Sequence, residues 1–242
     1  MCGRFTSTTS VTDLASVFEV EEVRAPEMPP RYNVAPTSPV YAVALARGDE
    51  DKGPRRALGT FRWGLVPSWA RDPSVGNRMI NARAEGISKK PAYRNALARR
   101  RCLVPADAFY EWKKRPAGGK LPYAVRRRDR QPMALAGIWE VWRDRDRPDE
   151  PPLRSCAIVT TEANELMAPI HDRMPVVLER AEWERWLDPA TDLSEVEALL
   201  RPAAPDLFEA FPVSTAVNNV ANDGPELLVP DLPPGAGGRA VS

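Results

Sequence analysis

The chain has 242 residues, of which 43% are hydrophobic and 28% are charged, and its formal net charge is +1. This length fits one soluble domain of ordinary core size, and no apolar run approaches the roughly 20 residues that a membrane-spanning helix needs. The N-terminus lacks the charged and apolar regions of a secretory signal, and the cysteines (Cys2, Cys102 and Cys156) form neither a CxxC motif nor an even-numbered framework. We therefore expect a cytoplasmic protein without a disulfide framework or a zinc module. Nothing in the sequence demands a metal, a cofactor or more than a monomer.

The apolar spacing predicts short helices and many short strands in chain order. Helical periodicity covers 11–20 and 90–101, the second with Pro91 in its first turn, and returns at 181–187 and 192–201. Residues 67–86 have no clean period, and a long irregular segment inside a compact domain is often functional. Alternating or continuous apolar runs predict strands at 40–46, 58–66, 102–113, 122–128, 133–142, 156–163, 174–178 and 208–214.

Many short strands with few helices predict an α+β fold. We expect a single domain built on a strongly curved, barrel-like, mostly antiparallel sheet with a few peripheral helices. The domain is expected to cover residues 2–225. Residues 226–242, which end in PPGAGGRAVS, are expected to form a partly disordered tail.

The small net charge hides a strong asymmetry along the chain. Residues 83–130 contain 15 basic and 4 acidic residues, whereas residues 179–242 contain 4 basic and 12 acidic residues. A basic middle segment favours a polyanionic partner for one face of the protein. Solvated loop ends, such as the run Arg126–Arg128, are an equally good explanation on charge alone.

The first residues, MCGRFT, place a cysteine directly behind the initiator methionine. If Met1 is removed, Cys2 becomes the N-terminus and carries an α-amine and a thiol on adjacent carbons. No internal cysteine offers that pair of nucleophiles. Position alone does not distinguish this function from an incidental small residue.

Three further places contain side chains suited to catalysis. Asn81, Arg83 and Glu85 lie in the segment NARAE, Glu111 lies between aromatic residues in FYEW, and the single histidine, His171, lies in IHDRMP. Each also has a structural explanation, such as a turn-forming Asn or an outward-pointing strand residue. A cysteine, a histidine and a glutamate suffice for nucleophilic and acid–base catalysis, but the sequence does not show that they meet.

Ten segments in order carry a family resemblance that covers Cys2 to about Asn219. They are MCGRF, RYNVAPT, WGLVPSWA, INARAE, KPAYR, RRCLVPADAFYEW, AGIWE, SCAIVTTEAN, IHDRMPVVL and VSTAVNN. The chain closely resembles the SRAP family (SOS response-associated peptidases, or abasic-site processing proteins). It departs from the family pattern at Ala108, where glycine is usual, and at Gly86 and Ile87, none of which is an expected catalytic residue.

The resemblance implies recognition of abasic sites in single-stranded DNA and their covalent capture by Cys2. An abasic deoxyribose exists partly as an open-chain aldehyde, to which a neutral amine adds to form an imine. The α-amine has a pKa of about 8, against about 10.4 for lysine, so more of it is neutral at pH 7. The adjacent thiol can then close on the imine carbon to give a thiazolidine ring, an intramolecular step.

The resemblance also implies roles for individual residues. His171 would move protons during opening of the sugar ring and imine formation, Glu111 would orient or activate the α-amine, and Asn81 would hold the amine or the sugar. Single-stranded DNA would be gripped through phosphate contacts and base stacking. The candidates for those contacts are Arg4, Trp69, Arg83 and Trp112.

Three other functions stay open at this point. Cys2 could act as the nucleophile of an N-terminal-nucleophile peptidase, which could include autoproteolytic removal of Met1. The chain could be a non-covalent single-strand binding module. It could also be an abasic-site lyase, since an imine can lead to β-elimination.

Overall fold

The structure is a computed structural model that describes residues 2–46 and 53–231. The strands are β1 (Arg4–Ser7), β2 (Glu22–Val23), β3 (Arg31–Val34), β4 (Pro39–Ala46), β5 (Arg55–Trp63), β6 (Asn81–Arg83), β7 (Arg101–Ala106), β8 (Ala108–Lys114), β9 (Lys120–Arg127), β10 (Met133–Trp142), β11 (Leu153–Glu162), β12 (Arg173–Pro175), β13 (Val177–Leu178) and β14 (Phe208–Pro212). The α-helices are α1 (Val11–Val17), α2 (Arg94–Arg99), α3 (Trp183–Leu187) and α4 (Leu193–Ala198). None of the helices in these two ranges is long and apolar enough to cross a membrane.

The larger sheet has nine strands and closes on itself. Its order is β12-β11-β10-β7-β4-β5-β2, with β13 on β10 and β6 on β11. A parallel pairing of β5 with β11, through Arg62 with Ser155 and Trp63 with Cys156, joins the two sides of this path. Strands β5, β4, β7, β10 and β11 therefore form a barrel, and the predicted α+β fold with a barrel-like, mostly antiparallel sheet is confirmed.

Alternate residues of the barrel strands fill its interior, and the helices cover one outer face. The interior contains Trp63, Cys102, Cys156 and Ile158, all fully buried. The outer face packs against α3 and α4 through residues such as Trp186, which is also fully buried. This separation follows from the two-residue period of a strand, which sends successive side chains to opposite faces.

The smaller sheet brings the N-terminus against β8. Its order is β14-β9-β8-β1-β3, so β1 lies between β3 and β8. The antiparallel register places Arg4 opposite Tyr110. Cys2, two residues before Arg4, therefore starts beside the part of β8 that contains Glu111.

The predicted single strand at 102–113 was wrong, because Asp107 divides it into β7 and β8. The Asp107 carboxylate accepts hydrogen bonds from the backbone N–H groups of Thr8 (2.5 Å) and Thr9 (3.2 Å) and from both threonine hydroxyls. The chain turns there, so β7 joins the nine-stranded sheet and β8 the five-stranded one. This break connects the two sheets directly beside β1.

Two other segments differ from the prediction: residues 67–86 are more ordered, and the helix at 90–101 is shorter. The irregular segment 67–86 contains a 3-10 helix, Pro73–Arg78, and β6, which pairs in parallel with β11. The helix predicted at 90–101 is shortened at both ends to α2, since residues 91–93 form turns before it and β7 begins at Arg101.

The end of the described chain packs onto the domain. Pro225–Leu228 form a 3-10 helix whose Leu227 is fully buried, and Val213 pairs with Pro230 in an isolated bridge. The remaining part of the expected tail, residues 232–242, lies outside the described residues, so the boundary at 225 stays a prediction.

Candidate active site

Cys2 is fully buried just before β1 and packs with the residues of the barrel interior. Its thiol lies 3.9 Å from the carbonyl oxygen of Arg4, to which it can donate. Burial raises the pKa of the Cys2 thiol well above its ordinary value, and the nearby Glu111 carboxylate raises it further. The sulfur is therefore a protonated thiol at neutral pH rather than a thiolate.

Glu111 is a buried carboxyl group on β8, with only 2% of its surface exposed. Its strand is fixed from both sides, by β1 and by β9. Burial raises the pKa of this carboxyl, because the charged form loses its hydration. A buried carboxylate whose pKa is raised is a stronger proton acceptor than an ordinary one, which suits acid–base catalysis.

His171 reaches Glu111 from the connection between β11 and β12. Its Nε2 lies 4.0 Å from Oε2 of Glu111, and its side chain is 27% exposed. The turn is built by Asn164, whose side-chain oxygen accepts the N–H of Met167, and by Met167, whose carbonyl accepts the N–H of His171. The imidazole is thus open to solvent on one side and faces the buried carboxyl group on the other.

The protonation state of His171 is set by its surroundings. Burial lowers the pKa of the imidazole, which favours the neutral form at pH 7. The N–H of Arg173 donates to Nδ1 at 3.0 Å, so the proton of the neutral ring lies on Nε2, the nitrogen that faces Glu111. When the ring is protonated, Nδ1 can instead donate to Oδ1 of Asp172, 2.9 Å away.

Asn81 holds the main chain of Cys2. Its Nδ2 donates to the carbonyl oxygen of Cys2 at 2.8 Å, across 79 positions of sequence. The strand that contains it, β6, is aligned on β11 with Asn81 opposite Ile158. Its Oδ1 is buried without a hydrogen-bond partner among the described residues, so an acceptor is available beside Cys2.

The structure therefore brings together all four residues predicted to be catalytic. Cys2 and Glu111 come from the five-stranded side, and Asn81 and His171 come from strands and turns of the nine-stranded sheet. The site contains a buried thiol, a buried carboxyl group, a neutral imidazole 4.0 Å from that carboxyl group, and an amide that holds the carbonyl of Cys2. Within residues 2–46 and 53–231, no group of three or more His, Cys, Asp or Glu side chains is arranged to hold a metal ion.

Two of the four predicted DNA-binding residues are free to meet a ligand. Trp69 is 60% exposed, an unusual position for a tryptophan. Arg83 is exposed at the end of β6 and, two residues after Asn81, lies on the same face of that strand.

The other two are held by contacts within the protein. Arg4 donates from Nη1 to Oδ1 of Asn33 at 2.7 Å and to the carbonyl oxygen of Val217 at 3.0 Å. The indole N–H of Trp112 donates to Oδ1 of Asn218 at 2.7 Å. Both side chains thus position the segment around 217–218, and each leaves part of its surface exposed.

Arg173 is the structural residue of the site that the sequence analysis missed. Its guanidinium binds the Glu85 carboxylate with both terminal nitrogens, at 2.5 and 2.9 Å, and donates to the carbonyl oxygen of Thr160 at 2.7 Å. It fixes the segment after Asn81 to the segment after His171. Glu85, which the sequence offered as a catalytic candidate, is one half of this clamp.

Known proteins share the sequence of this chain over most of its length. The family model described as SOS response associated peptidase (SRAP) matches residues 1–220. The chain belongs to the SRAP family. The resemblance drawn from the sequence motifs is confirmed, and the four clustered residues all lie within the matched range.

Relatives of this SRAP chain occur in bacteria and in vertebrates. The abasic site processing protein YoqW of Bacillus subtilis is 41% identical over 230 residues, covering 94% of this chain and 99% of the relative. The abasic site processing protein HMCES of Gallus gallus is 37% identical over 227 residues, covering 83% of this chain and 66% of the relative.

A solved structure shows the same SRAP architecture at low sequence identity. A protein from Bacteroides thetaiotaomicron superimposes with a TM-score of 0.82 and 24% identity, over 96% of this chain and all of the other. At this identity the match supports the fold alone.

Proposed function

We propose that this SRAP protein recognises abasic sites in single-stranded DNA and captures them covalently through Cys2, after Met1 has been removed. The main support is the position of Cys2, whose carbonyl is held by Asn81 and whose thiol lies near Glu111, the carboxyl group that His171 faces. Relatives named as abasic site processing proteins support the choice of lesion. The protein acts in the cytoplasm, on the nucleoid, and as a monomer, since one chain supplies all four residues.

The first chemical step is addition of the α-amine to the sugar aldehyde. The amine forms a bond to the aldehyde carbon, and the carbinolamine then loses water to give an imine. Glu111 receives the proton that the amine releases and can return it to the departing hydroxyl, as its raised pKa permits. His171 is neutral and carries its proton on Nε2, and it moves protons while the sugar ring opens.

The second step closes a thiazolidine ring. The Cys2 sulfur bonds to the imine carbon, and the thiol proton passes to the nitrogen, so no other reactant is needed. Because burial keeps the sulfur protonated, the amine is expected to react first and the thiol second. Both nucleophiles belong to one residue, and such intramolecular reactions can reach effective molarities on the order of 10⁵–10⁸ M.

The DNA is held outside the chemical site by charge and stacking. Arg83 binds a phosphate next to the lesion, and Trp69 stacks on a neighbouring base. Exposed basic residues of the segment 83–130 supply further phosphate contacts, apart from Arg99, which lies at the opposite end of the barrel. An abasic nucleotide has no base to unstack, so moving its sugar to the site beside Cys2 costs little free energy.

A peptidase that uses Cys2 as its nucleophile is the second candidate. The family description favours it. It needs the same liberated Cys2, with the α-amine as the base that activates the thiol. β-Elimination at the imine, which would make the protein a lyase, competes with ring closure at the site we propose.

The test is incubation of the mature protein with single-stranded DNA that contains one abasic site, beside an undamaged strand. We expect a heat-stable adduct with the damaged strand only, seen on a denaturing gel. Its intact mass should equal the sum of the full chain and the DNA, less Met1 and one water. Cleaved DNA would indicate a lyase, and turnover of peptide bonds without DNA a peptidase. Absence of any adduct with protein that has lost Met1 would refute the proposal.

Arg83→Ala is expected to weaken binding to single-stranded DNA without abolishing adduct formation at saturating protein. Loss of one phosphate contact should reduce the slope of log affinity against log salt by about 0.7. Fluorescence anisotropy over a salt series measures both quantities. Arg145→Ala, which removes an equally exposed arginine from the β10–β11 connection, is the control. Equal affinities for Arg83→Ala and wild type at every salt concentration would remove Arg83 from the interface.

His171→Ala is expected to slow adduct formation by roughly 10²- to 10⁴-fold, the usual contribution of one acid–base group, with DNA affinity retained. Single-turnover kinetics under saturating protein separate the two effects. Asp146→Asn is the control, because this carboxylate is exposed in the β10–β11 connection and lies outside the site. An unchanged rate in His171→Ala would mean that the imidazole moves no proton in the slow step.

A further inference from the structure

The barrel has an open mouth at the end away from Cys2. A cavity of about 860 Å³ lies there, within the usual range for small-molecule sites of about 300–1,000 Å³. Arg154, at the start of β11, lines it, whereas Asn81 pairs with β11 further along, at Ile158. None of Cys2, Asn81, Glu111 and His171 lines this cavity.

Small residues on two neighbouring strands leave this space. Strands β4 and β5 present Ala44 opposite Ala57, and the neighbouring Gly59 opposite Ala42. Interiors of small barrels are normally filled by side chains, so Ala and Gly in successive layers leave part of the barrel open. The cavity is therefore a property of the barrel sequence and not a gap between loops.

The wall of the cavity is aromatic on one side. Phe61 and Trp139 meet edge to face, with ring centroids 5.5 Å apart and an interplanar angle of 72°. Both line the cavity. Such a surface suits a flat apolar group, which could continue the edge-to-face packing.

The rim of the cavity is positively charged. Among the described residues that line it none is acidic, and five are arginines: Arg24, Arg99, Arg100, Arg101 and Arg154.

Three of these arginines have partners within the described part of the chain. Arg24 pairs with Glu22, Arg100 with the buried Glu140, and Arg101 donates to backbone carbonyls such as that of Leu97.

Arg99 and Arg154 are exposed and form no ion pair with any described residue. Two uncompensated guanidinium groups beside an apolar cavity favour a ligand with an anionic head.

We propose that the mouth of the barrel is a binding site for a small aromatic anion, with its ring against Phe61 and Trp139 and its charged head at Arg99 and Arg154. The site is separate from the covalent chemistry at Cys2 and does not depend on it. Its ligand is a flat molecule with a sulfonate, carboxylate or phosphate group.

The test uses two fluorescent probes of similar shape on the full-length protein. Anilinonaphthalene sulfonate carries the negative charge, and phenylnaphthylamine lacks it. We expect saturable one-to-one binding of the anionic probe by the wild-type protein. Arg154→Ala should weaken this affinity about tenfold, because a charge-assisted contact is lost. The neutral probe should bind equally to wild type and Arg154→Ala. Arg145→Ala, with the same change in net charge, should bind both probes like wild type.

A filling variant provides the second readout. Ala57→Phe should weaken both probes, and the thermal melt of each variant shows whether it is folded. If Ala57→Phe does not fold, the comparison of Arg154→Ala with Arg145→Ala decides alone. Equal effects of those two variants, or binding of the anionic probe that does not saturate, would overturn the proposal. Arg154→Ala should form the adduct with abasic DNA at the wild-type rate, and a slower rate would contradict the separation of the two sites.

Discussion

Cys2→Ala, processed to a free N-terminal alanine, is expected to form no heat-stable adduct with abasic single-stranded DNA and yet to form an imine that borohydride traps. The α-amine survives the substitution, so the first bond can form, but no thiol is present to close the ring. The unreduced imine hydrolyses on heating. A denaturing gel with and without borohydride, followed by intact mass analysis, measures both outcomes.

Two matched variants separate the roles of nitrogen and sulfur. Cys2→Ser keeps the amine and offers a weaker nucleophile in the same place, so most of its product should also need reduction to survive heat. A chain with residues retained before Cys2 keeps the thiol and has no α-amine on that residue, so it should give no Cys2-linked product with or without borohydride. A heat-stable adduct in Cys2→Ala would show that the capture uses another residue.

Glu111→Gln is expected to slow adduct formation by roughly 10²- to 10⁴-fold while leaving DNA binding intact. Glutamine keeps the shape of the side chain and cannot exchange a proton with the amine or the carbinolamine. Glu150→Gln is the control, since that carboxylate is 55% exposed and lies in the β10–β11 connection, outside the site. Single-turnover rates at saturating protein provide the measurement, and a rate for Glu111→Gln like that of Glu150→Gln would remove Glu111 from the chemistry.

The same substitution should stabilise the fold at neutral and higher pH. The folded-state pKa of Glu111 is raised above its ordinary value of 4.5, so folding favours the protonated carboxyl. Its contribution to stability is fully present below pH 4.5 and is lost as the pH rises through the folded-state pKa, where a charge must be buried.

Glu111→Gln removes that dependence, and its melting temperature should exceed that of wild type by an amount that grows with pH. For a chain of this size, each kcal/mol corresponds to about 2–4 °C. Calorimetric melts at pH 4 and pH 8 test this expectation. A gain that is larger at pH 4 than at pH 8 would contradict the raised pKa.

Strand and helix patterns predicted most of the elements, because each element depends on local periodicity. Strands β10 and β11 were predicted nearly to their ends, as continuous apolar runs. The division at Asp107 was missed, because its cause is a set of hydrogen bonds to Thr8 and Thr9, about a hundred positions away. Closure of the barrel was predicted only as a general shape, since the β5–β11 pairing joins strands far apart in sequence.

The identities of the site residues followed from motifs in the sequence, whereas their roles in the site depend on distances. Cys2, Asn81, Glu111 and His171 were chosen from short motifs before any contact was known. The 2.8 Å hydrogen bond from Asn81 to the Cys2 carbonyl could not be predicted, and neither could the burial that raises the pKa values of Cys2 and Glu111. Such pKa values depend on the loss of solvent around a group, which no local pattern describes.

By itself the sequence determined the family, the barrel-like α+β fold and the four candidate catalytic residues, because all three rest on residue types at fixed places along the chain. Only the tertiary structure decided that Arg4 and Trp112 are held by internal hydrogen bonds, that Arg173 clamps Glu85, and that the far end of the barrel is open. These features arise where segments distant in the sequence meet, and their energies depend on the separation and burial of the groups. The sequence shows which groups are present, but it does not show how far apart or how buried they are.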